Sequence, residues 1–488
     1  MERQLLEAYP VLSETNLSVL FAVDDLVYKV KRPLAFAFVD QRTLADRQRL
    51  CIDELALNRR FSPDVYLRVV DIVDDGQVVD CAVVMRRMPS ERSLARLVRA
   101  GSAVKPCLRA VARQMARHHA IADRSDDVSA AGTKAAVSEL WRLSIDEMRD
   151  LVPAVHDSSV LDEIAERSAR YLAGRQPLFD QRIARGHIVD GHGDLLADDI
   201  YCLDDGPRLL DCLDFAEQFR FGDVLLDIAF LAMDLERLGR TKLASAFIDT
   251  YVEMTDEHHP ASLVDHYVAY RAVVRAKVLG YRARDGVEEA AGEAGRLLAL
   301  AADHLALGEV RLVVIGGLPG TGKTTLAETL SSRRGWTVLS TDAVRRELTG
   351  RPQGQLAFGE GTHDPRTNAA TYRTLFERAR TALGLGERVI LDGSFADARW
   401  RSEARDLAAA EHALPTELRC VAPSAVAAAR LLARAHSHGA TSAVVLSDAT
   451  PAIAAEMARR FAPWPAATTI DTAATAGEVL AAAMAALG

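Results

Sequence analysis

Residues 316–325 read Gly316-Gly317-Leu318-Pro319-Gly320-Thr321-Gly322-Lys323-Thr324-Thr325, and from Gly317 they fit G-x-x-x-x-G-K-T. Such spacing lets the backbone N–H groups of Gly317 through Thr325, Pro319 excepted, curl around a polyphosphate, with Lys323 reaching its terminal phosphates and the Thr324 hydroxyl facing Mg²⁺. The pattern predicts a nucleoside triphosphate site, with ATP and Mg²⁺ as the expected occupants. A second set of chemistry-bearing residues lies upstream. Gly191-His192-Gly193-Asp194 is followed by Asp199, then by Leu210-Asp211-Cys212-Leu213-Asp214-Phe215. An aspartate after His-x, a hard oxygen donor five residues on, and an Asp-Phe closing a short strand suit phosphoryl transfer. The first carboxylate takes a hydroxyl proton and the later ones hold a metal on phosphates.

These residues need particular elements to position them. Strands are expected at Ser18–Val23, Leu26–Lys31, Leu67–Val73 and Val78–Met88, with a helix near Arg42–Arg60. Helical periodicity covers Cys107–Ala122 and Ala135–Leu151 and returns over 222–306, with short β and loop character over 187–215. From Val310 onward strands and helices alternate, with strands at Val310–Ile315, Thr337–Ser340, Arg388–Asp392, Leu418–Val421 and Thr468–Ile470. That alternation predicts a doubly wound parallel sheet. Two domains are expected, 1–306 (a small lobe to about 95, then a helical lobe) and 307–488.

His192-Gly193-Asp194, Leu213-Asp214-Phe215 and Gly222-Asp223…Asp227-Ile228-Ala229 resemble aminoglycoside phosphotransferase and choline kinase-like enzymes. Tyr28-Lys29-Val30-Lys31-Arg32-Pro33 and Glu54–Arg60 extend the likeness. Nearly the whole chain resembles a bacterial family fusing such a domain to a P-loop ATP-binding domain. The resemblance implies an α/β multidomain chain, with a bilobal protein kinase-like fold before the P-loop sheet. It implies Lys29 on the α- and β-phosphates with Glu54 as its helix partner, Asp194 as general base, and Asp199 and Asp214 as metal ligands. Lys31 points to the same strand face as Lys29, so either lysine can serve, and Asp211 competes with Asp214. Two departures stand out. Asp199 replaces the usual asparagine and adds negative charge beside a polyphosphate, and the loop Leu12–Ser18 that should cover the phosphates has no glycine.

In the second half, Asp392 ends the apolar strand Val389-Ile390-Leu391, where a carboxylate supports Mg²⁺. Asp342 and Arg345 follow the second strand in a segment similar to small P-loop kinases. That likeness implies contact with, or deprotonation of, an acceptor hydroxyl by Asp342 and substrate binding by Arg345; a helix-capping role for Asp342 stays open. Arg430 and Arg434 lie four apart on one helix face, placed either to neutralise a transferring phosphate or to pair with surface carboxylates. His118, His119, Asp223 and Asp227 read as bracing residues.

Composition narrows the function. With 488 residues, 49% hydrophobic and 26% charged, the chain is an ordinary globular one, and its net charge of −9 disfavours nucleic acid as partner. Only seven of the 59 basic residues are lysine, so a lysine marks a place where a compact point charge is wanted. Six scattered cysteines without a C-x-x-C suggest neither zinc nor a disulfide framework. With no signal-like N-terminus and no apolar run of about 20 residues, a cytoplasmic protein without a membrane segment is expected. The expected reaction is ATP- and Mg²⁺-dependent transfer of a γ-phosphoryl group to a hydroxyl of a small polar molecule. The alternative is a P-loop ATPase or nucleotide sensor carried with, or regulating, a degenerate kinase-like domain.

Overall fold

The structure, a computed structural model, describes residues 11–14, 17–36, 39–151, 158–349, 364–437 and 451–488. The chain divides into two compact units. One gathers Met1–Ala165, Phe179–His259 and Val264–Ala306, and the other Glu166–Leu178, Pro260–Leu263 and Leu307–Gly488.

The first unit has a small sheet lobe and a helical lobe. Its small lobe is a five-stranded antiparallel sheet in the spatial order Val11–Glu14, Ser18–Val23, Leu26–Lys31, Gln77–Arg86, Tyr66–Asp74. Alternation along Leu26–Lys31 puts Val27, Lys29 and Lys31 on one face. Val27 packs there with Cys51, Val65, Tyr66, Cys81, Val83 and Leu210. Cys51 comes from the helix Leu44–Arg59, whose cap Thr43 accepts from the Asp46 N–H. The same helix therefore buries its apolar side on the sheet and delivers Glu54 to the lysines. In the helical lobe, Val224–Arg237 is buried along nearly its whole length. A helix buried on nearly every side belongs at a centre, and here its buried Asp227 supports the loop that carries Asp194.

The second unit is a five-stranded parallel sheet in the order Thr337–Ser340, Val389–Asp392, Arg311–Gly316, Leu414–Val421, Thr468–Asp471. Its central strands Arg311–Gly316 and Val389–Asp392 read as buried apolar runs, as strands covered on both faces do. Val313, Ile315, Ile390, Leu418 and Ile470 meet Leu326, Leu330 and Leu487 in one core. The closing helix Ala476–Leu487 begins with a capping box between Thr475 and Glu478. No helix among the described residues is long and apolar enough to cross a membrane.

Two expectations fail. Cys107 and Cys202 form a disulfide between the helix Lys105–Ile121 and the strand Ile200–Leu203, with Cα atoms 5.7 Å apart. The two lie 95 residues apart in sequence, so only tertiary packing aligns them. Cys51, Cys81, Cys212 and Cys420 remain buried thiols. Closing so long a loop restricts the unfolded chain. Reduction should therefore lower stability by roughly 2–5 kcal/mol, read as a drop in urea midpoint that Cys107→Ser reproduces and reductant then leaves unchanged. The second failure is the strand expected to end in Asp214-Phe215. Leu210–Asp214 has no regular structure. Asp211 takes a left-handed φ of 62°, and its N–H goes to the Tyr66 hydroxyl (3.0 Å). The Cys212 N–H goes to Asn58 Oδ1 (2.9 Å). Side chains of the small lobe take the donors that a strand neighbour would have satisfied.

Candidate functional site

In the first unit, Lys29 and Lys31 both reach Glu54, at 2.8 Å to Oε1 and 2.9 Å to Oε2. Each then takes its own aspartate: Lys29 Nζ lies 2.7 Å from Asp211 Oδ1, and Lys31 Nζ lies 2.7 Å from Asp214 Oδ2. Both lysines and both aspartates thus form two parallel lysine–aspartate pairs sharing one glutamate. Burial opposes ionisation of Glu54, and the two ammoniums overcome it and hold its carboxyl at about 2. Burial also works against charge on Lys29, but Asp211 and Glu54 outweigh it and raise its pKa well above the usual lysine range. For Asp214 burial prevails over Lys31 and the carboxyl is raised.

Asp194 and Asp199 lie on the loop after the short strand Ile188–Asp190. The loop is held from below. The His192 and Gly193 N–H groups each donate to Asp227, both at 2.8 Å, and His119 Nε2 lies 3.0 Å from the same carboxylate. A Cβ on Gly191 would sit 2.5 Å from Asp227 Oδ2, so only glycine admits this approach. From above, Arg60 donates to Asp190 (2.8 Å) and to the Gly191 carbonyl (3.0 Å). Asp234, fully buried, accepts from the Ala197 N–H (2.9 Å) and so fixes the turn that presents Asp199.

Burial pushes Asp194 up to about 6; Arg275 and Arg271 oppose this, while Asp211 adds to it. Asp199 is raised well above the carboxylate range by burial and by Asp211 and Asp194. Asp211, and not Asp214, is the loop aspartate whose charge bears on both of these residues. The set holds more carboxylates than lysines, all hard oxygen donors, and so suits a divalent cation shared with phosphate oxygens. Among the described residues no three His, Cys, Asp or Glu side chains stand as a ready-made metal site. Magnesium seldom needs one when phosphates supply the remaining ligands.

In the second unit the glycine loop follows the strand Arg311–Gly316 and ends at the helix Lys323–Arg334. Gly317 has a φ of 143° and Gly320 one of 80°; a Cβ there would meet the Cys420 carbonyl at 2.4 Å and that of Ala427 at 2.5 Å. Pro319 is buried in the loop and Thr325 is exposed on the first helical turn. Gly322 caps the helix in the left-handed region, so its first N–H groups face outward, as an anion site requires. Lys323 Nζ donates to the Leu318 carbonyl within the loop (3.1 Å). The Thr324 hydroxyl donates to Asp392 Oδ2 (2.8 Å), while Asp392 Oδ1 is buried without a partner. Burial raises Asp392 against the pull of Lys323. An orphaned buried carboxylate oxygen beside Thr324 is the observation that fits Mg²⁺ here.

The outer residues are placed less simply. Asp342, in the first turn of the helix Thr341–Thr349, is 2.7 Å from Arg345. Arg430 donates to the Thr472 carbonyl (2.7 Å) and lies 3.4 Å from the Gly320 carbonyl. The Thr472 hydroxyl in turn donates to the Thr321 carbonyl (2.7 Å). Arg430 therefore braces the phosphate loop instead of standing free over it. Arg434 is on the same helix, but its side chain lies outside the described residues, as do Thr15 and Asn16 of the glycine-free loop. Sequence reasoning missed Thr472, Asn58 and Arg275. For Thr472 the signal was its place just past the last parallel strand, where ligand crevices open.

The AAA domain family matches residues 312–463. Over 481 residues the chain is 41% identical to Uncharacterized protein Rv2004c of Mycobacterium tuberculosis, covering 96% of this chain and 94% of that one. Among solved structures, a choline kinase from Cryptosporidium parvum Iowa II covers 62% of this chain and 88% of its own, at 10% identity and a TM-score of 0.41. A gluconokinase from Sinorhizobium meliloti 1021 covers 36% of this chain and 91% of its own, at 17% identity and a TM-score of 0.26.

Proposed function

This chain belongs to the family of the mycobacterial Uncharacterized protein Rv2004c, and for it we propose an ATP- and Mg²⁺-dependent phosphotransferase acting on a hydroxyl of a small polar molecule. The reading is carried by the ion-paired set of Lys29, Lys31, Glu54, Asp211 and Asp214, assembled in the same unit as Asp194 and Asp199. Lys29 and Lys31, locked by Glu54, hold the nucleotide phosphates. Asp194 takes the proton of the acceptor hydroxyl as that oxygen bonds the γ-phosphorus and the phosphorus–oxygen bond to ADP breaks. When bound, Mg²⁺ would neutralise phosphate charge, held by Asp199 with Asp211 or Asp214, each of which also pairs with a lysine, and by Thr324 and Asp392 at the second nucleotide site. Phosphoryl transfer demands little of a protein besides positioning and charge neutralisation. A carboxylate near 6 is matched to taking a proton at neutral pH.

A second reading concerns the P-loop unit. Asp342 is engaged by Arg345, which favours nucleotide hydrolysis or sensing there over a second acceptor reaction. One experiment bears on both. Lys323→Ala should weaken nucleotide binding at the P-loop by tenfold or more, measured by titration with a fluorescent ATP analogue. Phosphorylation of acceptors in a pooled metabolite extract should persist in that variant. Its complete loss would move the chemistry to the P-loop unit and sink the primary reading.

A further inference from the structure

The helix Ala261–Arg284 carries Arg271 and Arg275 four residues apart, on one face. Both guanidinium charges bear on Asp194, and that of Arg275 also bears on Asp199. Neither forms an ion pair among the described residues. Other buried arginines of this unit do: Arg47 with Asp80, Arg182 with Asp223 and Glu257, and Arg220 with Asp190. Arg271 is buried, donates from Nε to the Leu226 carbonyl (3.0 Å) and lies over the Phe230 ring at 4.6 Å. Those contacts fix its plane without neutralising its charge. The Nε of Arg275 is buried and has no partner. Of the other nearby carboxylates, Asp211 is engaged by Lys29, Asp234 by Arg237 and the Ala197 N–H, and Asp227 by His119 and the loop, which leaves Asp194 and Asp199 as the carboxylates that these charges face. Arg271 is buried and Arg275 half-buried, neither stands in an ion pair among the described residues, and the planar fork of a guanidinium matches a carboxylate or phosphate.

We propose that the acceptor taken beside Asp194 is itself an anion, a hydroxyl compound bearing a phosphate or carboxylate group, and that Arg271 and Arg275 bind that group. This rests on Asp194 being the base of a kinase site. Arg275, the less tied of the two, sets the choice: it draws anionic hydroxyl compounds in and rejects amino alcohols, whose ammonium would face two guanidinium groups.

The test uses the full chain with saturating ADP and Mg²⁺, so that both nucleotide sites are filled. Glycerol phosphate and glycerate serve as anionic probes, and ethanolamine and glycerol as cationic and neutral ones. Calorimetric titration should show at least one anionic probe binding ten times or more tighter than either of the others. Arg275→Met should weaken that probe ten- to a hundredfold and leave ADP affinity unchanged, which also shows the variant is folded. Arg275→Lys should recover part of the loss. Preference of the wild type for ethanolamine or glycerol, no binding of either anion, or an Arg275→Met variant that loses ADP while keeping the anion would each overturn the proposal. Asp194→Asn separates it from the reading beneath it. If that variant still phosphorylates acceptors while anion binding depends on Arg275, the catalytic assignment fails and the anion subsite stands.

Discussion

Asp194→Asn is expected to lower acceptor phosphorylation by about 10²–10⁴-fold in kcat, the range that a positioned general base contributes. Asparagine keeps the shape of the side chain but cannot take the hydroxyl proton. Nucleotide affinity should hold, because Lys29, Lys31 and Glu54 form their ion pairs without Asp194. Stability should hold as well. Burial raises the folded-state pKa of Asp194 to about 6, above its unfolded value. The folded protein therefore binds more protons than the unfolded chain between those values, and this carboxylate's contribution to stability falls as pH rises through that window. The amide carries no such loss, so at neutral pH the variant should melt no lower than the wild type. In the wild type, kcat should rise with pH through about 6 as the base deprotonates, and the remnant activity of the asparagine variant should lack that limb. Full activity in Asp194→Asn, or a pH profile that it leaves unaltered, would remove Asp194 from the chemistry.

Asp227→Ala is expected to cost about 3 kcal/mol or more of stability and most of the activity, although Asp227 touches no proposed substrate. Its carboxylate accepts from His192 and Gly193, both at 2.8 Å, and pairs with His119 at 3.0 Å. Alanine leaves two buried backbone donors without acceptors, at about 1–3 kcal/mol each. Burial opposes the charge on Asp227, but His119 and the loop donors overcome it and hold its pKa far below the usual carboxylate value. A depressed folded-state pKa contributes stability that is present above the unfolded value near 4 and lost as pH falls below it. The wild type should therefore lose stability below about pH 4 more steeply than Asp227→Asn does. The amide retains one oxygen acceptor and should keep more activity than alanine. A urea titration across pH reads both effects, and an alanine variant as stable as the wild type would show that the loop holds itself.

Several parts of this molecule were open to reading in one dimension. The phosphate loop Gly317–Thr325 is contiguous, and its chemistry follows from glycine's conformational range and one lysine. The strands Ser18–Val23 and Leu26–Lys31 and the parallel strands from Arg311 follow from apolar periodicity, which depends on near neighbours. Lys29 and Lys31 were placed on one face by the two-residue period of a strand, and they do share Glu54.

What the sequence by itself determined, then, were local properties: where a phosphate loop forms, which runs become strands or helices, and which residues carry ionisable groups. Tertiary structure alone decided partnership. Lys29 pairs with Asp211 across 182 residues of chain, Asp227 clasps a loop 34 and 35 residues before it, and Cys107 finds Cys202 at a separation of 95. It also turned Leu210–Asp214 from an expected strand into a loop, because Tyr66 and Asn58 take its N–H groups. The physical reason is common to all of these. Propensity and periodicity act over a few residues, whereas ion pairing, hydrogen bonding and desolvation act through space, and burial sets their strength.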